Sequence, residues 1–563
     1  MTKELNFIFL CFLLCCLSAS AQSYQWGGSY GGDGEDVAFS LHVDPAGNSY
    51  TTGFFTENCD FDMSPNNYIL STSIFYQAFV MKTDNAGNFV WAKQFGSDEA
   101  FDYGTAVTTD AAGNVYVTGT FQETGDFDPG TGEFMLTTNG GIDIFVVKLD
   151  PNGNFVWAKN IGGLEYEESN GIGVDTQGNV YISGYFYNEV DFDPGAGVYN
   201  LTPAGNEGNG DGFVVKLSSN GDFVWAKQFG GDKFDLATAM KVRPNGDTYI
   251  TGYFKETADF NPNPTETFLL TTPPQTVAGF LLHLNSDGAF IKAVKTGTSL
   301  NEIQNLAIDV DANDAAYITG YFGESASFDT PTPTAFTATS ALSGYLAKIN
   351  SDGTIAWAKQ LPSEQFTGGF DIAVNSLNEV LVTGYYDGIL QLGTTTLTKE
   401  TDKAMESFFA KLNANGDFIS AFRFGGVDAI DRAGIAVDAT DNIYLTGVYQ
   451  GSANINPVPG QANLVTAVDF RDDYLIKMSN TTLSVPDVQP NVTLKLYPNP
   501  SNSYINLKSS VPLVDKNYMV FDLTGRQILS GKIETNQRID VRSLTKGTYI
   551  VNIDQSSYKI IKE

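Results

Sequence analysis

A chain of 563 residues that is 42% apolar is long enough for more than one packed core. Its 32 basic side chains against 65 acidic ones leave a net charge of −33, a balance that repels phosphate backbones and excludes nucleic acid and anionic membranes as partners. Divalent cations or basic surfaces are the electrostatically reasonable alternatives.

Residues 1–21 read as a signal peptide. Lys3 precedes an apolar run from Phe7 to Leu17, and Ala19-Ser20-Ala21 supplies small residues for cleavage. The run is too short to span a bilayer, so no transmembrane segment is expected. Cys11, Cys15 and Cys16 leave with the signal, and Cys59 remains as a small buried apolar residue with no disulfide partner.

From Trp26 to Lys477 the chain repeats itself. A Thr-Gly or Ser-Gly step recurs at Gly53, Gly119, Gly184, Gly252, Gly320, Gly384 and Gly447, at spacings of 63 to 68 residues. Each repeat holds four runs rich in Val, Ile, Tyr and Phe, shown in the second by Ala106 to Asp110, VYVTGTF, DIFVVKLD and NFVWAKNIGG. Four antiparallel strands repeated seven times, without helical periodicity, predict an all-β, seven-bladed propeller over 22–480. The last repeat stops after its third strand at Lys477, whereas YQWGGSYGG at the start places Trp26 in the slot of Trp91. The N-terminal strand is therefore expected to complete the seventh blade beside 473–477 and hide both sheet edges.

Within a repeat the first and third turns are tight, as in DAAGN (110–114) and DPNGN (150–154). The second connection and the link between blades are long and acidic, and the alternation of strands puts both on one face of the ring. Function is expected there. Three of these insertions carry an Asp-Phe-Asp step, at Asp60 and Asp62, Asp126 and Asp128, and Asp191 and Asp193. As carboxylate pairs they are candidate Ca²⁺ ligands; as extended segments they put both Asp on one side and Phe on the other, which makes a capped loop anchored by its Phe. Both readings stay open.

Trp26, Trp91, Trp157, Trp225 and Trp357 share one slot of the repeat, filled by Lys292 and Ser420 elsewhere, as expected for packing between blades. Lys82, Lys148, Lys216, Lys348, Lys411 and Lys477 share another, which His283 fills in the fourth repeat. His42 stands apart in SLHVD. Without HExxH, GxSxG or a Cys/His cluster, no zinc site and no catalytic triad is expected, and no acid/base pair stands out from the acidic background.

TTLSVPDVQPNV (481–492) has two prolines and no aromatic residue, and reads as a linker. The remainder, 493–563, turns basic and alternates in YINLK, VFDL and YIVNI, which predicts a small β-sandwich. It resembles the C-terminal sorting domain of the type IX secretion system of Bacteroidota through Tyr497-Pro-Asn-Pro500, Asp522-Leu-Thr-Gly-Arg526, Leu544-Thr-Lys-Gly-Thr-Tyr549 and the Lys559-Ile-Ile-Lys562 ending. That resemblance implies an immunoglobulin-like sandwich, export through the type IX machinery, and release or attachment at the outer surface. The repeats resemble the seven-bladed β-propeller repeat family through GNVYVTGTF, FVVKLD and FVWAK, which supports fold alone.

The function expected is that of a secreted or cell-surface binding and adhesion module, with a glycan or protein ligand on the long-loop face. A polysaccharide hydrolase or lyase on the same scaffold, and a passive component of the surface layer, are the competing classes.

Overall fold

The computed structural model describes residues 23–205, 208–400, 403–427, 433–457, 463–480, 494–509, 513–514, 516–522, 526–553 and 556–563. The expected signal peptide, the linker and Leu523-Thr-Gly525 of the tail motif lie outside the described residues. The chain divides into two compact units near residue 482. Among the described residues there is no helix.

The larger unit is a succession of antiparallel four-stranded groups. In the third, Glu167–Val174, Val180–Phe186, Asp211–Leu217 and Phe223–Gly231 pair in chain order. The same order recurs in the groups that begin at Asp36, Tyr103, Leu236, Ile303 and Thr367. In the last, Ala433–Val437, Ile443–Asn454 and Leu464–Ser479 are joined by Ser23–Gly32, with Trp26 opposite Lys477 and Tyr30 opposite Asp473.

The Thr-Gly step has a steric cause. In each of the first six groups the first strand slips register opposite this glycine, as between Ser169 and Gly171 facing Gly184. A Cβ on Gly184 would lie 1.8 Å from the Glu168 carbonyl, so the bulge and the glycine require one another. The hydroxyl before the glycine is fixed as well: Thr118, Thr319 and Thr383 donate to third-strand carbonyls at 2.9 Å.

Hydrophobic packing joins neighbouring groups. Tyr116, Ile144, Val146 and Ile161 of the second group share a core with Ile182, Phe186 and Phe213 of the third. The Trp slot adds a polar tie. Trp157 Nε1 and Lys148 Nζ of one group both donate to the Ser219 carbonyl in the next group's turn, at 3.2 and 3.0 Å. Trp91 with Lys82 holds Pro151 in the same way, and Trp225 with Lys216 holds Ser286. Each of these lysines also lies over a tyrosine ring whose hydroxyl donates to a turn aspartate, as Lys148 does over Tyr116 at 4.9 Å. His283, in the lysine slot, stacks on Tyr249 at 3.9 Å.

The smaller unit has two sheets. Lys495–Tyr497, Tyr504–Lys508 and Arg538–Asp540 form one; Gln527–Lys532, Asn517–Phe521, Gly547–Ile553 and Ser556–Lys562 form the other. Ile505, Val520, Ile539, Val551 and Ile560 meet in its core. Asn499 of the Tyr-Pro-Asn-Pro string ties the start of this unit to its last strand, accepting from Ile561 N at 2.7 Å and donating to Lys559 O at 2.8 Å.

Gly221 tests the Trp tie. It has φ +78°, and a Cβ there would come 3.2 Å from the Trp157 ring. Gly221→Ala is expected to destabilise the larger unit by about 1–2 kcal/mol, read as a lower urea midpoint at unchanged slope.

Candidate functional site

The first strands of all the groups, from Phe39–Val43 to Ala433–Val437, line one cavity of about 450 Å³. Strand edges that face a channel carry unpaired main-chain groups, and side chains of neighbouring groups meet them. Asp309 Oδ2 accepts from Val374 N and Asp371 Oδ2 from Ile435 N, both at 2.8 Å. Asp309 Oδ1 also holds the Lys241 ammonium at 2.8 Å, and that contact raises the lysine above its ordinary range. Enclosure pushes the Asp371 carboxyl up to about 7. His42 is paired with Thr109 Oγ1 at 2.9 Å. Enclosure, followed by the charge of Lys241, lowers His42 to about 4. His42, isolated in the sequence, lines the same cavity as Lys241, 199 positions away, a meeting that no local spacing signals.

A tyrosine cluster stands where the first strands begin and the second strands end. Tyr185, Tyr253 and Tyr321 follow the Ser-Gly and Thr-Gly steps; strand alternation leaves them half-exposed while Phe186, Phe254 and Phe322 point into the core. Tyr166 stacks on Tyr185 at 6.2 Å, Tyr187 stands edge-on to Tyr185 at 5.7 Å, and Phe234 lies 6.0 Å from Tyr187. Glu168 accepts from the hydroxyls of Tyr166 and, at 2.6 Å, Tyr185. Glu302 accepts from Tyr321 at 3.4 Å and from Gln304 Nε2 at 2.9 Å. Burial, with Tyr187, Glu302 and Glu168 nearby, pushes the Tyr253 hydroxyl up to about 12. The long connections leave from this end of the strands. The repeated SGYF and TGYF strings were the signal that could have found the cluster.

The Asp-Phe-Asp steps are straps between groups. Gly96 and Asp126 exchange both main-chain hydrogen bonds, and Asp60 and Asp191 pair likewise with Gly31 and Gly162 of the preceding outer strands. Phe61, Phe127 and Phe192 are fully buried. The first carboxylates close the loops: Asp60 accepts from Asp62 N and Tyr68 N, Asp126 from Asp128 N and Phe134 N, and Asp191 from Asp193 N and Tyr199 N, at 2.8–3.1 Å. Asp62, Asp128 and Asp193 each accept one further main-chain N–H. A neutral residue makes the same clasp, since Asn454 Oδ1 accepts from Asn456 N and Asn463 N. Among the described residues no three His, Cys, Asp or Glu gather around a point that could hold a metal.

Comparison with known proteins agrees with this architecture. Residues 90–120 match the β-propeller repeat, and residues 495–563 match the secretion system C-terminal sorting domain. The chain carries a β-propeller repeat and a secretion-system C-terminal sorting domain. The sorting domain marks it for export to the cell surface or beyond, and among the described residues no helix is long and apolar enough to cross a membrane. The uncharacterized WD repeat-containing protein L264 of Acanthamoeba polyphaga mimivirus is 24% identical over 452 residues, 67% of this chain and 32% of that protein. The chain thus spans about a third of that curated relative's length. PorZ, an essential bacterial surface component of the type-IX secretion system of Porphyromonas gingivalis, aligns over 94% of this chain and 69% of its own at 13% identity and a TM-score of 0.28. A europium-containing methanol dehydrogenase aligns over 82% and 93% at 11% identity and a TM-score of 0.35. Likenesses so distant add nothing to what the strand pairings establish.

Two outcomes follow from the site. Asp126→Asn is expected to keep the melting temperature, with or without EDTA, because an amide oxygen accepts the same two bonds, whereas Asp126→Ala should cost about 1–3 kcal/mol; a Ca²⁺ site would instead fail on Asp126→Asn and on chelation. His42 should titrate by NMR near 4. Its folded value lies below the ordinary 6.5, so its contribution to stability is present above 6.5 and is lost as pH falls toward 4.

Proposed function

We propose that residues 22–480 form a closed seven-bladed propeller that acts outside the cell as a non-enzymatic binding module. Residues 493–563 deliver it through the type IX secretion machinery, and 481–492 link the two. Two observations support closure. Ser23–Gly32 pairs with Leu464–Ser479 as a fourth strand pairs with a third. Trp26 and Lys477 then donate together to the Asn85 carbonyl, each at 3.1 Å, the same tie that joins the other groups.

The observation that carries the binding role is the half-exposed cluster of Tyr166, Tyr185, Tyr187, Tyr253 and Tyr321 around Glu168 and Glu302. Aromatic faces offer flat apolar surface to the C–H side of a sugar ring, while carboxylate and amide groups at their edges take up hydroxyls. The acidity of the chain turns away uronates, sulfated and phosphorylated sugars. The ligand class that fits is an uncharged glycan.

A glycan array spanning neutral, amino and acidic sugars, run with turnover assays on the same glycans, tests this reading. Neutral glycans should be retained without product, and Tyr253→Ala should weaken the best of them about tenfold, the loss of roughly one aromatic contact. Reproducible product would replace the reading with an enzyme. Retention of acidic glycans alone, or of none, would remove the ligand class and leave a passive surface role.

A further inference from the structure

Three seams between neighbouring groups bury a pair of acids around a glycine dipeptide. Asp143 of the second group and Glu167 of the third flank Gly162-Gly163. Asp211 and Asp235 flank Gly230-Gly231, and Asp472 and Asp36 flank Gly31-Gly32. The glycines make the room. A Cβ on Gly162 would sit 2.1 Å from the Asp143 carboxyl carbon, one on Gly230 2.4 Å from Asp211 Oδ1, and one on Gly31 2.4 Å from the Asp472 carboxyl carbon. Five of the six acids are at most 1% exposed, and Asp472 is 8% exposed.

Main-chain donors meet some of the oxygens. Gly163 N donates to Glu167, Asn139 N to Asp143, Ala204 N to Asp211, and Gly231 N and Lys255 N to Asp235. Asp143 Oδ1 and Glu167 Oε1 of one pair have no partner, nor do Asp211 Oδ1 or Asp472 Oδ1, and Asp36 has only weak donors in the Cys59 thiol and Gly32 N. Buried carboxylate oxygens without donors are costly when charged, and a proton removes that charge.

The remaining seams show what these slots accept. Strand register puts Gln77 and Asp102 at the equivalent positions of the first seam, Ala278 and Ile303 at the fourth, and Ser343 and Thr367 at the fifth. Neutral residues fill the same space at the fourth and fifth seams, whereas buried acids, Asp102 and Glu406, stand in these slots at the first and sixth, so the architecture tolerates an acid there without requiring one. The groups that face the acid pairs are themselves acidic or uncharged: Glu165 at the first pair, Asp232 at the second, and Asp33, Asp473, Cys59 and Tyr449 at the third. Arg471, beside Asp473, is paired with Glu35 at 3.1 Å.

We infer that each of these three acid pairs holds a proton at neutral pH, which makes the seams a pH-responsive lock, tight in mildly acidic medium and loosened as the medium turns alkaline. Burial first, and the neighbouring acid second where it contributes, push Glu167 and Asp472 up to about 7 and Asp235 up to about 8, with Asp36 well above the ordinary carboxylate range. Glu167, Asp472 and Asp235 ionise near 4 when unfolded and only at about 7 to 8 when folded, so the stability they contribute is full below about 4, is given up progressively as pH rises between those limits, and is gone above about 8. Both histidines are lowered from 6.5, so their linkage has the opposite sign, stability rising with pH up to 6.5, and they do not produce this fall.

Thermal melts of the intact mature chain from pH 5 to 8.5 test the inference. The melting temperature should fall by several degrees across that window in the wild type. In a triple variant, Asp36→Asn, Glu167→Gln and Asp235→Asn, that slope should shrink measurably, the remainder coming from acids outside the pairs such as Asp371 and Asp102, which burial also raises to about 7. A flat or rising wild-type profile, or an unchanged slope in the variant, would overturn it. Should the variant not fold, infrared difference spectra of the wild type decide: a protonated-carboxyl band that persists at pH 6.5 and titrates near 7 to 8 supports the lock, and its absence at pH 6.5 rejects it.

Discussion

The larger unit depends on one tie between neighbouring sheets. A tryptophan from an outer strand and a lysine from the strand beside it converge on a single carbonyl in the next group's turn. The turn can come that close because its glycine has no Cβ and takes a positive φ. Buried aromatic area gives the contact its strength, and the two N–H donors give it direction. Where tryptophan is missing, Lys292 still reaches across to the Ser351 carbonyl.

With the sheets held in this way, each long insertion has a mechanical task before any other. The Asp-Phe-Asp strap hydrogen-bonds to the outer strand of the preceding group and places its phenylalanine in the core between them. It covers a strand edge that would otherwise stay open to foreign pairing. The acids most visible in the sequence accept the main-chain bonds that close these loops. Nearer the channel, inner strands present tyrosines at one end and a Lys241–Asp309 pair within.

Much of this was legible in the chain. The period of the Thr-Gly step, the tight Asp-Gly turns and the Trp and Lys slots all predicted what the strands do, because each is a local rule about backbone conformation or alternation repeated many times over. The burial of Phe61, Phe127 and Phe192 follows from the same alternation. The tyrosine cluster was legible only in part: the repeated SGYF and TGYF strings mark its slot, but half-exposure and burial in a seam have the same sequence signature. Tyr385 holds the slot of Tyr253 and is fully buried.

By itself the sequence determined the all-β class, the repeat, the composition break near residue 490 and the sorting domain, since these depend on residue type and spacing alone. Only the tertiary structure decided which acids are clasps, which share a buried seam and which border a tyrosine cup. Those distinctions depend on what a neighbouring sheet brings from some 65 residues away, and on whether water reaches the space between them.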